Sequence, residues 1–281
     1  MHVVVCIKQV PDSAQIRVHP VTNTIMRQGV PTIINPYDLY AVEEALRLRD
    51  RHGGTVTVLT MGPPMAEESL RKALTFGADR AVLLTDRFFA GSDTLATSYA
   101  LASAITAIGE RFEPVDIVFT GKQTIDGDTA QVGPGIAKRL GLAQLTYVSR
   151  VAALDLAGGT IEVDRRAEGG VQALRTRLPC LVTMLEGTNE IRRGSLPDAL
   201  RAARAEIAVW SAKDAGIADV TKCGLRGSPT VVKRVFAPTP RAEKATLVDP
   251  AGAGAADALI AAMFAARPRL EAELATLVRG Y

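Results

Sequence analysis

The sequence predicts an α/β protein, with a doubly wound, mostly parallel sheet, antiparallel edge strands and an extended C-terminal arm. Three observations lead to this fold class. Short apolar runs alternate with helical patterns over the first 150 residues, as in sheets whose two faces are covered by helices. Two glycine-rich turns after residue 150 indicate hairpins. Residues 211–250 lack clear hydrophobic periodicity and contain four prolines, which favours an arm.

The individual elements follow from the same patterns. Apolar runs predict strands at Val3–Ile7, Val56–Met61, Arg80–Leu84, Asp116–Thr120 and Gln144–Val148. Helical spacing predicts helices at Tyr37–His52, Met65–Phe76, Thr94–Arg111 and Ala130–Leu140. Further along we expect a hairpin of Val151–Leu156 and Thr160–Arg165, strands at Val171–Thr176 and Cys180–Leu185, and helices at Pro197–Ala205 and Asp257–Leu277. The pattern predicts an α/β domain over residues 1–210 and a wrapping arm with a terminal helix over residues 211–281.

Composition disfavours several function classes. The 281 residues are 47% hydrophobic with a formal net charge of +3, so nothing favours nucleic-acid binding. Three widely spaced cysteines and three histidines form no metal-binding pattern, and Cys6 and Cys180 lie in apolar runs typical of inert core residues. The sequence shows no run of ~18 apolar residues and no signal-peptide pattern, so we expect a cytoplasmic protein.

The most informative stretch is the polar loop that follows the fourth predicted strand. Gly121, Gly127 and Gly133 in this loop permit close backbone approach to a ligand. The first N–H groups of the helix that follows lack backbone partners and lie at the positive end of its dipole, so the loop suits a phosphate group. An ordinary helix capped by Asp128 or Thr129 explains the same pattern, and the residues alone leave both explanations open.

Three other segments are expected beside this loop, because ligands of open α/β sheets bind outside the carboxyl ends of strands. Cys6 and Lys8 close the first strand, Met61 closes the second, and Asn35 and Asp38 flank the start of a helix. Two of these residues have a simpler explanation. Asn35 has the pattern of a turn or helix cap, and Lys8 that of a solvated strand end.

The loop closely resembles the nucleotide loop of electron-transfer flavoprotein β-subunits, in the residues Gly121-Lys122-Gln123-Thr124-Ile125-Asp126-Gly127-Asp128-Thr129-Ala130-Gln131-Val132-Gly133. Other motifs of that family occur in order at residues 5–11, 34–45, 77–80, 178–183 and 189–192, so the resemblance covers residues 1–210 well. It implies an adenine nucleotide, with the Cys6 backbone next to the adenine, Asn35 and Asp38 near base and ribose, and Met61 beside the ring. The cofactor-binding residues that it implies are Cys6, Lys8, Asn35, Asp38, Met61, Asp93, Thr94, Thr97, Gly121, Gln123, Asp126, Gly127, Asp128, Thr129, Ala130, Gln131, Val132 and Gly133.

A second polar cluster, residues 91–98, has the pattern of a helix start capped by Ser92 or Asp93, with Thr94 and Thr97 on one helical face. A bifurcating subgroup of the family is similar here and binds a whole FAD at this point, whereas many β-subunits bind only AMP. AMP-binding relatives also carry a further acidic residue where this chain has Gly127, and pyrophosphate is more negative than a monophosphate. The resemblance therefore favours FAD, with AMP as the alternative.

The segment Asn189–Pro197 resembles the recognition loop of the family, in which an exposed leucine, here Leu196, anchors partner dehydrogenases. Ile191 and Arg193 stand where a proline and an aromatic residue are common, and these departures resemble the nitrogen-fixation-associated (Fix) branch. The implied partner-binding residues are Arg192, Arg193 and Leu196. The alternative is a polar loop whose leucine packs into the protein's own core.

The resemblance implies the small subunit of a heterodimeric electron-transfer flavoprotein, with the α-subunit as its partner. Such a protein would take electrons from NADH at its own FAD and pass them to ferredoxin or flavodoxin and, through quinone oxidoreductase and ferredoxin-like subunits at the membrane, to quinone. The flavin supplies the redox chemistry, which fits the lack of an acid, base or nucleophile constellation in the sequence. The alternatives are a non-bifurcating β-subunit with structural AMP and a free-standing nucleotide-binding stress-type protein, whose usual glycine-serine phosphate loop does not occur here.

Overall fold

The computed structural model describes residues 1–12, 31–231, 233, 254–270 and 273–274. The chain divides into two compact units, Met1–Phe236 and Ala237–Tyr281. The domain boundary expected after residue 210 lies within the first unit. A large part of the expected C-terminal arm, residues 232 and 234–253, lies outside the described residues.

The described residues form strands and helices in alternation through the first half of the chain. The strands are β1 (His2–Cys6), β2 (Gln9–Pro11), β3 (Thr32–Ile34), β4 (Thr55–Met61), β5 (Arg80–Leu84), β6 (Ile117–Gly121), β7 (Ala143–Asp155), β8 (Thr160–Ala167), β9 (Gly170–Arg177), β10 (Cys180–Met184) and β11 (Ala208–Trp210). The helices are α1 (Pro36–His52), α2 (Glu67–Thr75), α3 (Thr94–Arg111), α4 (Val132–Leu140), α5 (Leu196–Arg204) and α6 (Ala255–Ala266).

The main sheet of the described residues has nine strands in the order β11-β5-β4-β1-β6-β10-β7-β8-β9, and β2 pairs with β3 in a small separate sheet. Neighbours from β11 to β7 are parallel, and β7, β8 and β9 are antiparallel. The predicted doubly wound, mostly parallel sheet with antiparallel edge strands is thus confirmed. The chain builds outward from β1 through β4 and β5 on one side and from β6 on the other, so the strand order reverses between β1 and β6.

Helices cover both faces of the sheet. On one face, α1 and α2 bury residues such as Leu46 and Leu70 against the strands, and α5 packs on α2. On the other face, α3 and α4 pack on each other and bury Ile108 and Ile136. Each fully buried side chain of this size contributes roughly 1.5–3 kcal/mol. The two cores therefore hold the strand ends in one fixed arrangement.

One continuous strand, β7, replaces the predicted strand Gln144–Val148 and the first hairpin strand Val151–Leu156. Its first part pairs with β10 in parallel and its second part with β8 in antiparallel fashion. The change of partner follows a β-bulge in the β10 pairing, where Tyr147 has a φ of 60°. The polar pair Ser149-Arg150 interrupts the apolar alternation at this point, and this is why the sequence pattern divides the strand.

Several other predicted boundaries shift for local reasons. Helix α4 begins at Val132 rather than Ala130, because Ala130 has a φ of 54°, outside the helical region. The helix predicted from Met65 starts with a separate 3-10 turn before α2. The strands β2, β3 and β11, of three residues each, are too short to show an alternating pattern and are not predicted.

The C-terminal helix α6 ends at Ala266, shortly before Pro268, because a proline disfavours helical backbone at the residue before it. It is apolar all round rather than amphipathic, with Asp257 as its charged residue. None of its residues is buried. The end of the helix predicted to Leu277 lies outside the described residues.

Candidate functional site

A cavity of about 900 Å³ opens at the carboxyl ends of β1 and β6, where the strand order reverses. Open α/β sheets bind ligands at this position, and cofactor pockets typically measure roughly 300–1,000 Å³. The walls of the cavity are the ends of β1 and β4, the turn after β5, the start of α3 and the loop after β6. The predicted site residues that line it are Cys6, Lys8, Asp38, Met61, Asp93, Thr94, Thr97, Gly121, Gln123, Gly127, Thr129, Ala130, Gln131, Val132 and Gly133.

Three predicted site residues, Asn35, Asp126 and Asp128, do not line the cavity but hold its loop from outside. Asn35 is fully buried, and its side chain donates to the carbonyl oxygen of Gln123 (2.8 Å) and accepts from the N–H of Ile125 (3.2 Å). It makes no side-chain cap bond to α1. Asn35 therefore holds the loop after β6 and does not cap the helix that it precedes.

The carboxylate of Asp38 joins the ends of β1 and β6. It accepts the N–H of Lys8 at 2.8 Å and the N–H of Gly121 at 3.1 Å. Burial raises the pKa of Asp38 to about 7, against the lowering effect of hydrogen bonds from Asn35, Lys8 and Gly121. A Cβ on Gly121 would lie 2.5 Å from this carboxylate and 2.7 Å from the carbonyl carbon of Tyr37. Glycine at this position thus permits the close approach of α1 to β6.

The outer side of the loop is fixed by two polar contacts. The Lys8 ammonium lies 2.7 Å from the Asp126 carboxylate, and Nε2 of Gln123 donates to Asp128 at 2.7 Å. Partial burial alone would raise the pKa of Asp126, but the Lys8 ammonium lowers it below its usual range. Lys8 is therefore engaged with the loop rather than being a free, solvated strand end.

The last part of the loop presents a row of backbone N–H groups without protein acceptors. Residues 129–133 line the cavity, and their N–H groups donate to no acceptor among the described residues. Ala130 has a left-handed φ of 54° and Gln131 is right-handed, an alternation that directs successive N–H groups into an anion-binding concavity. Gln131 is the N-cap of α4 and makes no side-chain cap bond, so the cap predicted from Asp128 or Thr129 is wrong.

The start of α3 has the opposite electrostatic character. The Asp93 carboxylate accepts the N–H groups of Leu95 (2.9 Å) and Ala96 (3.0 Å), which confirms the predicted cap. Because this carboxylate already lies at the positive end of the helix, the start of α3 suits an uncharged group better than a phosphate. The hydroxyl of Thr94 donates to the side-chain oxygen of Gln131 (2.9 Å) and so links the two helix starts.

The cysteines contribute no reactive group to the site. Burial, followed by the nearby Asp38 charge, raises the pKa of Cys6 far above its usual range, and burial raises the pKa of Cys180 to about 12. Within the described ranges, no group of three or more His, Cys, Asp or Glu side chains could hold a metal ion. No helix of those same ranges is long and apolar enough to cross a membrane.

Comparison with known proteins places the chain in a family. The electron transfer flavoprotein domain family matches residues 22–215. The chain belongs to the electron transfer flavoprotein family. It is 78% identical to Protein FixA of Azorhizobium caulinodans over all of both chains, and 66% identical to Protein FixA of Azotobacter vinelandii over 98% of this chain and 99% of that protein. It is 47% identical to the electron transfer flavoprotein subunit beta of Clostridium acetobutylicum over 83% of this chain and 87% of that protein. The predicted resemblance to β-subunits and to their Fix branch is confirmed.

The recognition-loop segment of this electron transfer flavoprotein lies along the later turns of α1. The Arg192 guanidinium contacts Glu43 at 2.8 Å and Asp50 at 2.9 Å, and the Asn189 side chain donates to the carbonyl oxygen of Tyr40 (3.0 Å). Arg192 is thus tied within the chain. Its contact with a partner protein stays a prediction.

Two side chains of the same segment are turned outward. Leu196 is 74% exposed at the first position of α5, which rules out the alternative that it packs into the protein's own core. Arg193 is exposed and forms no ion pair or hydrogen bond with the described residues. The nearby Arg201 instead donates to the carbonyl oxygens of Leu74 and Ala78.

The cavity wall opposite the loop after β6 contains residues that the sequence analysis does not predict. The turn after β5 brings Arg87 and Phe89 to the cavity, and Asp86 caps it by accepting the N–H of Phe88. Behind this wall, Ser228 contacts the backbone of Asp93. The sequence Gly227-Ser228-Pro229 signals a turn, but no local pattern shows what such a turn contacts.

Proposed function

We propose that this family member is the small (β) subunit of a heterodimeric electron-transfer flavoprotein, which binds FAD and takes part in NADH-dependent electron bifurcation to ferredoxin or flavodoxin and to quinone. The bound flavin would supply the redox chemistry, while the residues of this chain bind, orient and shelter it. The match to the family supports electron transfer. FAD is favoured by the shape and chemistry of the cavity, and bifurcation by the resemblance of residues 91–98 to the FAD-binding subgroup.

The observation that carries the proposal is the row of N–H groups at residues 129–133. Unpartnered N–H groups at the start of a helix bind phosphate groups through hydrogen bonds and the helix dipole. The Thr129 hydroxyl offers a further donor beside them. Asp126 does not line the cavity, and its negative charge is compensated by the ammonium of Lys8, which does. These features suit a pyrophosphate.

The extent of the cavity favours FAD over AMP. Beyond the N–H groups of residues 129–133, the cavity continues to the start of α3. The residues that line it there are Phe89, Thr94, Thr97 and Leu101. A mononucleotide bound between Cys6 and residues 129–133 would leave this part of the cavity unfilled. A dinucleotide with a flat ring would occupy it. The start of α3, which the Asp93 carboxylate already caps, agrees with an uncharged isoalloxazine ring there. AMP is the second candidate, because the adenine side of the site suits both nucleotides.

We also infer that the chain functions with an electron-transfer flavoprotein α-subunit. The exposed, apolar helix α6 supports this, since contiguous apolar surface of this kind marks a protein interface. The loop containing Arg192, Arg193 and Leu196 would bind a partner oxidoreductase. Quinone oxidoreductase and ferredoxin-like subunits would hold the cytoplasmic chain at the membrane, and no nucleic acid takes part.

The deciding experiment is the nucleotide content of the heterodimer. The chain is co-expressed and purified with its large subunit, the complex is denatured, and the released nucleotides are separated and quantified. Two FAD and no AMP per heterodimer would support the proposal. One FAD with one AMP would refute FAD at this cavity while leaving the family and the subunit assignment unchanged.

Two hydroxyl deletions test the roles of individual residues in the same complex. Thr129→Ala should weaken nucleotide retention by about tenfold or more, since a hydrogen bond to a charged group contributes roughly 1.5–3 kcal/mol. Thr94→Val should keep the adenine half bound and alter the absorption spectrum of one flavin. Thr106→Ala is the matched control, because its hydroxyl donates to a carbonyl within α3 and does not line the cavity.

A further inference from the structure

The segment Cys223–Thr230, which we call the strap, lies against the turn that precedes α3. The hydroxyl oxygen of Ser228 accepts the N–H of Asp93 at 2.8 Å, and the same hydroxyl donates to the carbonyl oxygen of Gly224 at 2.6 Å. The N–H of Gly224 donates to the hydroxyl of Ser92 at 3.0 Å. Ser228 is buried, although it belongs to neither the sheet nor a helix.

Asp93 connects the strap to the cofactor cavity through its two carboxylate oxygens. One oxygen accepts the N–H groups that begin α3, and the other accepts the N–H of Thr230 at 3.1 Å. Burial acts to raise the pKa of Asp93, but the N–H groups of Ala96, Thr230 and Leu95 lower it below its usual range. The cap is therefore a carboxylate held from both sides, by the helix and by the strap.

The strap and the turn are packed closely, through the Leu225 side chain on Gly91 and through the Gly224 backbone on that of Phe88. A Cβ on Gly91 would lie 2.6 Å from Cγ of Leu225, and a Cβ on Gly224 would overlap the carbonyl oxygen of Phe88. Both glycines also have positive φ values, 75° and 59°, which side chains disfavour. This contact leaves little freedom for the turn to move relative to the strap.

The partners of the strap are residues of the cavity wall, while the strap itself stays behind that wall. Gly91, Ser92 and Asp93 line the cavity, and no strap residue does. Any effect of the strap on a ligand therefore passes through Gly91, Ser92 and Asp93, the residues that precede α3.

We propose that the strap is the outer support of the cofactor site and that Ser228 is a positioning residue, which holds the Asp93 cap and the start of α3 against the ring end of the bound nucleotide. This inference rests on the proposed function, because it takes the ligand of the cavity to be a nucleotide. It adds to that function a segment outside the sheet, far from the nucleotide loop in sequence, on which retention of the ligand depends. The dependence is on geometry, since Ser228 contributes no atom to the cavity wall.

The test uses the heterodimer with its natural nucleotides bound. Four variants are compared with the wild type: Ser228→Ala, Ser228→Thr, Leu225→Ala and the control Ser211→Ala. Ser211 belongs to the same C-terminal stretch and its hydroxyl donates to Asp214 at 2.7 Å, but it contacts no residue of the cavity wall through this hydroxyl. For each variant, the rate of nucleotide release after dilution is measured by chromatography of the free fraction, together with the midpoint of urea unfolding.

Ser228→Ala removes the hydrogen bonds of the hydroxyl to Asp93 and Gly224, and only the first of these reaches the cavity wall. Its loss should release nucleotide between about two- and tenfold faster than the wild type, as expected for one neutral hydrogen bond. The urea midpoint of Ser228→Ala should match that of Ser211→Ala, and Ser228→Thr, which retains the hydroxyl, should restore the wild-type rate. Leu225→Ala should act in the same direction, because Leu225 is 64% exposed and its loss opens the Gly91 contact with little effect on folding.

Equal release rates for Ser228→Ala and Ser211→Ala would overturn the proposal. So would faster release that only follows a lowered urea midpoint, since that is the behaviour of a tether important for folding alone. If Ser228→Ala does not assemble, the release rate of Leu225→Ala decides in the same way. The identity of the released compound, FAD or AMP, tests the proposed function separately, because either nucleotide can report a change in rate.

Discussion

Two loops of this protein are anchored on the same helix and differ in what they present. The loop after β6 is held at the start of α1, by Asn35 just before the helix and Asp38 in its first turn. The recognition-loop segment, residues 189–197, is held by later turns of α1, through Glu43 and Asp50. The first loop keeps its anchors buried and lines a cavity with backbone N–H groups. The second uses partly exposed ion pairs and directs Leu196 and Arg193 outward.

The difference shows how one rigid scaffold can support two kinds of recognition. Backbone N–H groups have fixed positions only when the backbone itself is fixed, so a loop that binds through them needs buried, fully bonded supports. A loop that binds through side chains needs only its base to be fixed. We therefore expect substitutions at the supports of the first loop to affect both folding and ligand binding, and outward substitutions in the second loop to affect partner binding alone.

The largest expected effect is at Gly121. In Gly121→Ala the new Cβ would overlap the Asp38 carboxylate and the α1 backbone, which must move apart, and such overpacking costs ~1–3 kcal/mol or more. Gly109→Ala in α3 is the control, because its Cβ would meet Val115 Cγ2 at an ordinary contact distance of 3.7 Å and Gly109 does not line the cavity. Urea unfolding and nucleotide content of the complex should both be impaired in the first variant only. Equal losses in the two variants would contradict the role given to the α1–β6 contact.

The second prediction concerns pH. The folded-state pKa of Asp38 is about 7, above the usual value near 3.9, so the folded protein binds more protons than the unfolded chain between these values. The Asp38 contribution to stability is fully present at low pH and is lost as pH rises to 7, by up to ~1.4 kcal/mol per pH unit. Asp50, Asp93 and Asp126 have lowered pKa values and titrate below this window.

Unfolding free energy measured from pH 5 to 8 should therefore decline more steeply in the wild type than in Asp38→Asn, whose side chain cannot ionise. The comparison uses the slopes, because the amide also replaces an acceptor by a donor and lowers stability at every pH. Parallel slopes would show that Asp38 is already ionised in the folded protein.

A smaller effect is expected from the neighbouring arginines of the second loop. Arg192→Ala leaves the buried Glu43 without its guanidinium partner and should cost about 1–3 kcal/mol, less than a fully buried pair because the Arg192 side chain is 28% exposed. Arg193→Ala should change stability by less than about 0.5 kcal/mol. Thermal melting of both variants checks this, and a comparable loss in Arg193→Ala would remove the distinction between an anchoring and a presented arginine.

The smallest effect on stability, with a large effect on function, is expected at Leu196. Leu196→Ala should stay within about 0.5 kcal/mol of the wild type, whereas a buried leucine would cost ~2–5 kcal/mol. Electron transfer with a partner oxidoreductase, followed by stopped-flow spectroscopy, should slow. Val171→Ala is the control, since Val171 is similarly exposed on β9. Unchanged transfer in Leu196→Ala, or equal slowing in both variants, would count against this loop as the docking surface.

Most of the sheet was open to prediction because its strands are short, buried and continuous in apolar character, as at β1 and β10. The cavity was open to prediction because parallel strand ends meet at one edge, which brings Cys6, Met61 and Gly121 together. The cap of α4 was not, since Asp128 and Ala130 adopt left-handed conformations that propensities do not favour. The strap was not either, because its hydrogen bonds join residues more than a hundred positions apart and leave no periodic trace.

The exposed helix α6 affects the level to which this protein can accumulate in a cell. A newly synthesised chain carries Leu259, Ile260 and Met263 on its surface until another molecule covers them. Chaperones and proteases act on surfaces of this kind, so an unassembled chain should be short-lived and its abundance should follow that of its partner. Raising the synthesis of this chain alone would then increase its turnover rather than its level, and the ratio of the two subunits would be set by degradation as well as by translation.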